Sequence, residues 1–115
     1  MNIKVVKSEI SLAEIMETAR EFYGTMIKGV VDVQNEILVL GGEYHMDANM
    51  VLIEQGSKQQ NVWGFNLILD KEGEYHIEYV SLINIRPAQG NREMELKDQN
   101  LRKRIKEIIN KKVKR

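Results

Sequence analysis

The chain has 115 residues, 43% of them apolar and 30% charged, and its formal net charge is zero. That length suits one domain, the apolar content suits one core, and the mixed charge argues against a disordered chain. Cysteine is absent, which removes disulfide frameworks, thiolate metal sites and cysteine nucleophiles from consideration.

The first ten residues, MNIKVVKSEI, carry no signal-peptide pattern, and the longest apolar stretch, Ile37–Leu40, is far too short to span a bilayer. A soluble cytoplasmic protein with no membrane partner is the expectation. The lack of cysteine, the single proline and the abundance of Lys, Glu and Ile would suit a thermophile. Charge is unevenly placed. Residues 101–115 hold eight basic side chains against Glu107, a net +7, so the first hundred residues sum to −7.

Ile3–Lys7 reads as a short strand. Ser11 with Glu14 three residues later forms a capping-box pattern for a helix whose apolar face is Leu12, Ile15, Met16, Ala19, Phe22 and Tyr23, with Gly24 ending it. Ile27–Gln34 and Ile37–Leu40 read as strands joined by Asn35-Glu36 in a two-residue hairpin. The second is apolar throughout, which places it inside the sheet. Asp47 is a natural N-cap for a helix over roughly 48–55, ended by Gly56.

Val62–Leu69 and Tyr75–Ile85 are the clearest strand pair. Trp63, Phe65, Leu67 and Leu69 alternate on one face, as do Tyr75, Ile77, Tyr79, Ile83 and Ile85. Pairing Ile68 with His76 puts Asn66 opposite Glu78 and Gly64 opposite Val80. The other face then collects Asn66, His76, Glu78, Asn84 and Arg86. Pro87 stops the strand, and Asp98 or Asn100 starts a last helix with Leu101, Ile105, Ile108, Ile109 and Val113 as its stripe. The order β-α-β-β-α-β-β-α implies one α+β domain over residues 1–115: a mostly antiparallel five-stranded sheet with helices on one face. The basic helix 101–115 either packs on that domain or extends from it.

The stretch Ser81–Arg92, SLINIRPAQGNR, concentrates polar chemistry. Arg86 and Arg92 would neutralise an anion while Asn84, Gln89, Asn91 and the neighbouring Asn66 orient it. The alternative is a loop whose side chains tie down its own backbone. Glu43, His45 and Asp47 recur with period two, a spacing that would place carboxylate and imidazole ligands on one side of a strand, with His76 as a further donor. His76 and Glu78 form a His–carboxylate pair, but Ser57 and Ser81 lack a nucleophile elbow. No catalytic residue and no cofactor is assigned. Arg102, Lys103, Lys106, Lys111 and Lys112 could follow a nucleic-acid backbone, although no aromatic residues are interleaved to stack bases.

Val30–Val33, Gly41–His45, Trp63–Asn66 and Ile83–Arg92, reading VVDV, GGEYH, WGFN and INIRPAQGNR, resemble a small archaeal and bacterial family known only as a domain of unknown function. The likeness covers roughly residues 20 to 95. It implies a free-standing prokaryotic fold and no particular activity. The expected function is therefore a binding module for a small phosphate- or carboxylate-bearing ligand at Asn84–Arg92. Nucleic-acid binding through the basic helix, a structural homodimer and a metal-assisted enzyme using Glu43, His45, His76 or Glu78 are the competing readings.

Overall fold

The computed structural model describes residues 3–115. Its strands are β1 (Ile3–Val6), β2 (Ile10–Ser11), β3 (Met26–Asp32), β4 (Ile37–Gly41), β5 (Val62–Leu69), β6 (Tyr75–Glu78) and β7 (Val113–Lys114). The helices are α1 (Leu12–Arg20), α2 (His45–Glu54) and α3 (Gln99–Lys112). Five strands form an antiparallel sheet in the order β1-β4-β3-β5-β6. The two short ones, β2 and β7, pair in parallel and clasp the two ends of the chain together. The α+β class and the interior position of β4 are as expected.

The helices are divided between the two faces, where one covered face was expected. On the first face Ile15 and Ala19 of α1 and Ile105, Ile108 and Ile109 of α3 bury Ile27, Val31, Leu38, Leu40, Phe65 and Leu67. On the second, Ala48 and Leu52 of α2 bury Val30, Val39 and Val62. The physical reason lies in β3 and β4. Val30-Val31 and Leu38-Val39-Leu40 are apolar at consecutive positions, so both faces of the sheet centre must leave water. Gly29 lies under the Phe65 ring, where a Cβ would stand 2.5 Å from Phe65 Cζ.

Helix starts follow local chemistry. Ser11 Oγ accepts the Glu14 N–H at 3.1 Å, and Asp98 Oδ1 accepts those of Asn100 and Leu101 at 2.9 and 3.1 Å. α1 stops at Arg20, before Phe22 and Tyr23. α2 starts earlier than expected. Tyr44 is its N-cap residue, and Asp47 lies inside the first turn, its Oδ2 accepting the Tyr44 N–H at 3.2 Å. The β3–β4 connection is Val33–Glu36 rather than two residues. The buried Asp32 carboxylate organises it by accepting the Gln34 and Asn35 N–H groups, the Asn35 side chain and the Ser57 hydroxyl. Positive φ falls on Glu36, at 55°.

The β5–β6 pair has the expected register at Ile68↔His76 and Asn66↔Glu78. The strand then ends, although the alternating pattern runs on to Ile85. The chain crosses the second face so closely that a Cβ on Gly64 would meet Ser81 at 2.6 Å. Leu82–Asn84 and Pro87–Gln89 form single 3-10 turns. Val80 instead bridges Glu95, and the Leu96 N–H donates to the Tyr79 carbonyl at 2.9 Å.

α3 belongs to the sheet's first face through its buried isoleucines. Its charges meet acidic residues of the rest of the chain: Arg104 and Lys111 lie 3.2 and 3.4 Å from Glu36, and Arg115 lies 2.7 Å from Glu74. Arg102 stacks on Tyr79, 4.3 Å from the ring centre. No helix among the described residues is long and apolar enough to cross a membrane.

Candidate functional site

The polar motif is a substitute for missing strand pairing. β6 pairs with β5 only over residues 66–69, so the start of β5 has an open edge. Asn84, fully buried, fills it with a carboxamide. Its Oδ1 accepts the Gly64 N–H at 2.8 Å and its Nδ2 donates to the Gly64 carbonyl at 2.9 Å. Arg86 closes the next position. Its guanidinium donates to the carbonyls of Ile83, Gln59 and Val62 and stacks on Trp63 at 3.7 Å. Half-burial lowers Arg86 to about 10, which leaves it a cation at neutral pH.

Asn91 knits the loop beneath. Its Nδ2 lies 2.8 to 3.1 Å from the carbonyls of Asn84, Glu93 and Glu95, and its Oδ1 accepts the Lys97 N–H. Gln89 donates to the Gln60 carbonyl at 3.0 Å. Asn84, Arg86, Gln89 and Asn91 therefore gather as expected, but their donors and acceptors meet the chain's own backbone. Arg92 is exposed.

Asn66 differs. It is 95% buried, and its Nδ2 donates to Glu78 Oε1 at 2.8 Å and to the Val80 carbonyl at 3.3 Å. Those two acceptors fix the amide's orientation, since exchanging O and N would set an oxygen against a carboxylate. Its Oδ1 is buried and makes no hydrogen bond among the described residues, while it faces the His45 ring closely enough to favour that ring's protonated form. An orphaned buried acceptor is costly and calls for a donor.

Asn66 lines a cavity of about 410 Å³ between the first turn of α2 and the 80–83 segment. Lys28, Tyr44, His45 and Met46 form one side, and Val80 to Ile83 with Met94 form the other. Around it lie exposed apolar side chains: Tyr44 and Leu82 are 64% and 70% exposed, Met46 and Met94 51% and 42%. An apolar chamber with a few converging polar groups is the usual form of a small-molecule site. Sequence reasoning selected Asn66 and His45 separately and missed Lys28 and the methionines. The signal that could have found Lys28 is its register opposite Asn66.

His45 is buried, and its Nε2 lies 2.8 Å from the Phe65 carbonyl, which makes Nε2–H the donor of a neutral ring. Burial pushes its pKa below the ordinary value. The Phe65 carbonyl opposes this, the Lys28 charge adds to it, and the Asn66 amide and Glu78 carboxylate also oppose it. The unfolded chain thus takes up a proton at a higher pH than the fold does. The stability held by neutral His45 is whole above about pH 6.5 and declines as pH falls below it. Urea midpoints are expected to drop as pH falls below about 6.5, and His45→Gln should flatten that slope. An unchanged slope in His45→Gln would remove the imidazole from this role.

The metal reading does not gain a cluster. α2 begins at His45, so the period-two spacing is broken: His45 turns inward, Glu43 is exposed and Asp47 caps. No three His, Asp or Glu side chains gather as metal ligands among the described residues. Of the candidate nucleic-acid contacts, Lys103 and Lys106 are exposed. Arg102 stacks on Tyr79, Lys111 faces Glu36, and Lys112 is buried with its Nζ donating to the Lys7 carbonyl at 2.6 Å. That last contact, reached from the helix's core side, takes Lys112 out of any exposed basic stripe.

Residues 4–112 match the family model described as "Protein of unknown function (DUF5674)". The chain belongs to this family. DUF5674 spans the elements from β1 to the end of α3, so the basic helix is part of the family's extent. No curated protein and no solved structure matches the chain.

Proposed function

We propose that this protein is a binding module for a small amphiphilic molecule, held in the cavity between α2 and the 80–83 segment. The carrying observation is Asn66 Oδ1, a buried acceptor without a partner in a chamber whose other walls are mostly apolar. The ligand's apolar body rests on Met46, Leu82, Ile83 and Met94, and a donor on its head meets Asn66. Methionines suit such a wall because their unbranched, polarisable side chains adapt to the shape presented. The site thus lies beside the Asn84–Arg92 loop, which serves as its scaffold: Asn84 and Arg86 hold in place the segment that forms one wall.

The test is amide chemical-shift mapping with 3-phenylpropanol, an apolar body with one hydroxyl donor. Shifts are expected at Tyr44–Met46, Val80–Ile83 and Met94, and should vanish in Met46→Trp, which fills the mouth from an exposed position. Shifts scattered over the surface, or none at millimolar probe, would overturn the reading.

A further inference from the structure

The chemistry of the ligand's head can be read from one row of the sheet; this rests on the binding reading above. Lys28, Asn66 and Glu78 are direct cross-strand partners on β3, β5 and β6, and all three lie on the second face. Directly opposed residues have Cβ atoms about 5 Å apart. The row therefore presents, in sequence, a cation, a neutral acceptor and an anion, each about 5 Å from the next and the two charges about 10 Å apart across β5.

Each group has a stated need. The Lys28 ammonium lines the cavity and makes no ion pair among the described residues; its contact is the Tyr23 ring, 5.4 Å away. An ammonium with no carboxylate partner attracts an anion placed beside it. Asn66 Oδ1 needs a donor. Glu78 is exposed and lies outside the cavity lining, engaged by Asn66 Nδ2 through Oε1; from behind Asn66 its negative charge makes a cationic donor at Oδ1 better than a neutral one. The opening turn of α2 adds N–H groups at the Lys28 end, their positive potential partly offset by the Asp47 carboxylate in the same turn.

We propose that the head is zwitterionic and that the ligand is an apolar α-amino acid. Its carboxylate lies toward Lys28 and the start of α2. Its ammonium donates to Asn66 Oδ1 on the side of Glu78. Its side chain occupies the space among Met46, Leu82, Ile83 and Met94. A plain fatty acid would leave Asn66 orphaned, and a plain amine would leave Lys28 without an anion. An α-amino acid carries both charges on one carbon, as the adjacency of Lys28 and Asn66 requires.

The experiment is calorimetric titration of the full chain with L-phenylalanine, N-acetyl-L-phenylalanine, L-phenylalaninamide and 3-phenylpropanol. L-Phenylalanine should bind at least about tenfold more tightly than each of the others, the gap of one well-placed charge contact. Lys28→Met should erase its advantage over the amide, which lacks the carboxylate. Glu78→Gln, which keeps an oxygen for Asn66, should narrow its advantage over the N-acetyl compound. Equal binding of all four would overturn the zwitterionic head while leaving the cavity's binding role standing. Absence of binding by all four, 3-phenylpropanol included, would overturn the binding role and this inference with it.

Discussion

Asn84→Ala is expected to cost about 2–6 kcal/mol of folding stability, because it leaves a buried N–H and a buried C=O unpaired at roughly 1–3 kcal/mol each. Both belong to Gly64, at the point where β6 has already left the sheet. Water cannot replace the carboxamide cheaply, since Asn84 is wholly buried and Gly64 is covered by Ser81. The loss is a large share of the 5–15 kcal/mol that holds a typical domain folded. Urea denaturation should show a lower midpoint at unchanged slope. Asn91→Ala should act in the same direction, because its Nδ2 supports the Asn84 carbonyl. The double variant should lose less than the two single losses combined, as expected for one network. Arg92→Ala, at an exposed position outside that network, serves as the control. An Asn84→Ala protein as stable as the parent would show that the loop is held by something other than this amide.

The architecture was legible where a pattern had one cause. Alternation in Val62–Leu69 reflects a strand between two others, and its register with His76 and Glu78 followed from the Asp70–Glu74 turn. Ser11 and Asp98 were legible as caps because a short polar side chain before an apolar helical stripe has few other uses. The pattern misled where two causes give the same spacing. Tyr79, Ser81, Ile83 and Ile85 continue the alternation of β6 after the strand has ended. Glu43, His45 and Asp47 alternate as in a strand, yet they enter a helix whose first turn takes Asp47 as an internal acceptor.

The second covered face was present in the doubled valines of β3, but such a run does not say which helix covers which side. The polar motif was visible as a concentration of amides and guanidinium. Composition could not tell whether those groups serve a ligand or the backbone, because both uses need the same side chains. The difference is one of direction: Asn84 and Asn91 point at carbonyls and N–H groups, and Asn66 Oδ1 points at none. The cavity itself draws on β3, α2, β5, residues 80–83 and Met94. Only the fold brings such distant segments together.

Arg86→Ala is the second large effect, expected at about 2–4 kcal/mol from lost charge-assisted bonds to carbonyls and a lost stack on an aromatic face. The guanidinium reaches three carbonyls, those of Gln59, Val62 and Ile83, from a single planar fork while covering the Trp63 ring. It therefore ties the 3-10 turn Gln59–Asn61, just before β5, to the 80s segment, and with it one wall of the cavity. Trp63 is the chain's one tryptophan, so the emission reports the surroundings of this ring and of no other indole. In Arg86→Ala the emission should move to longer wavelength as water reaches the ring, while far-ultraviolet circular dichroism stays close to that of the parent. Arg86→Lys should recover little, because an ammonium offers neither the planar fork nor the flat stacking surface. If Arg86→Ala leaves both Trp63 emission and the urea midpoint unchanged, the arginine is free of this scaffold role. It would then be available to an anion, as the sequence first suggested.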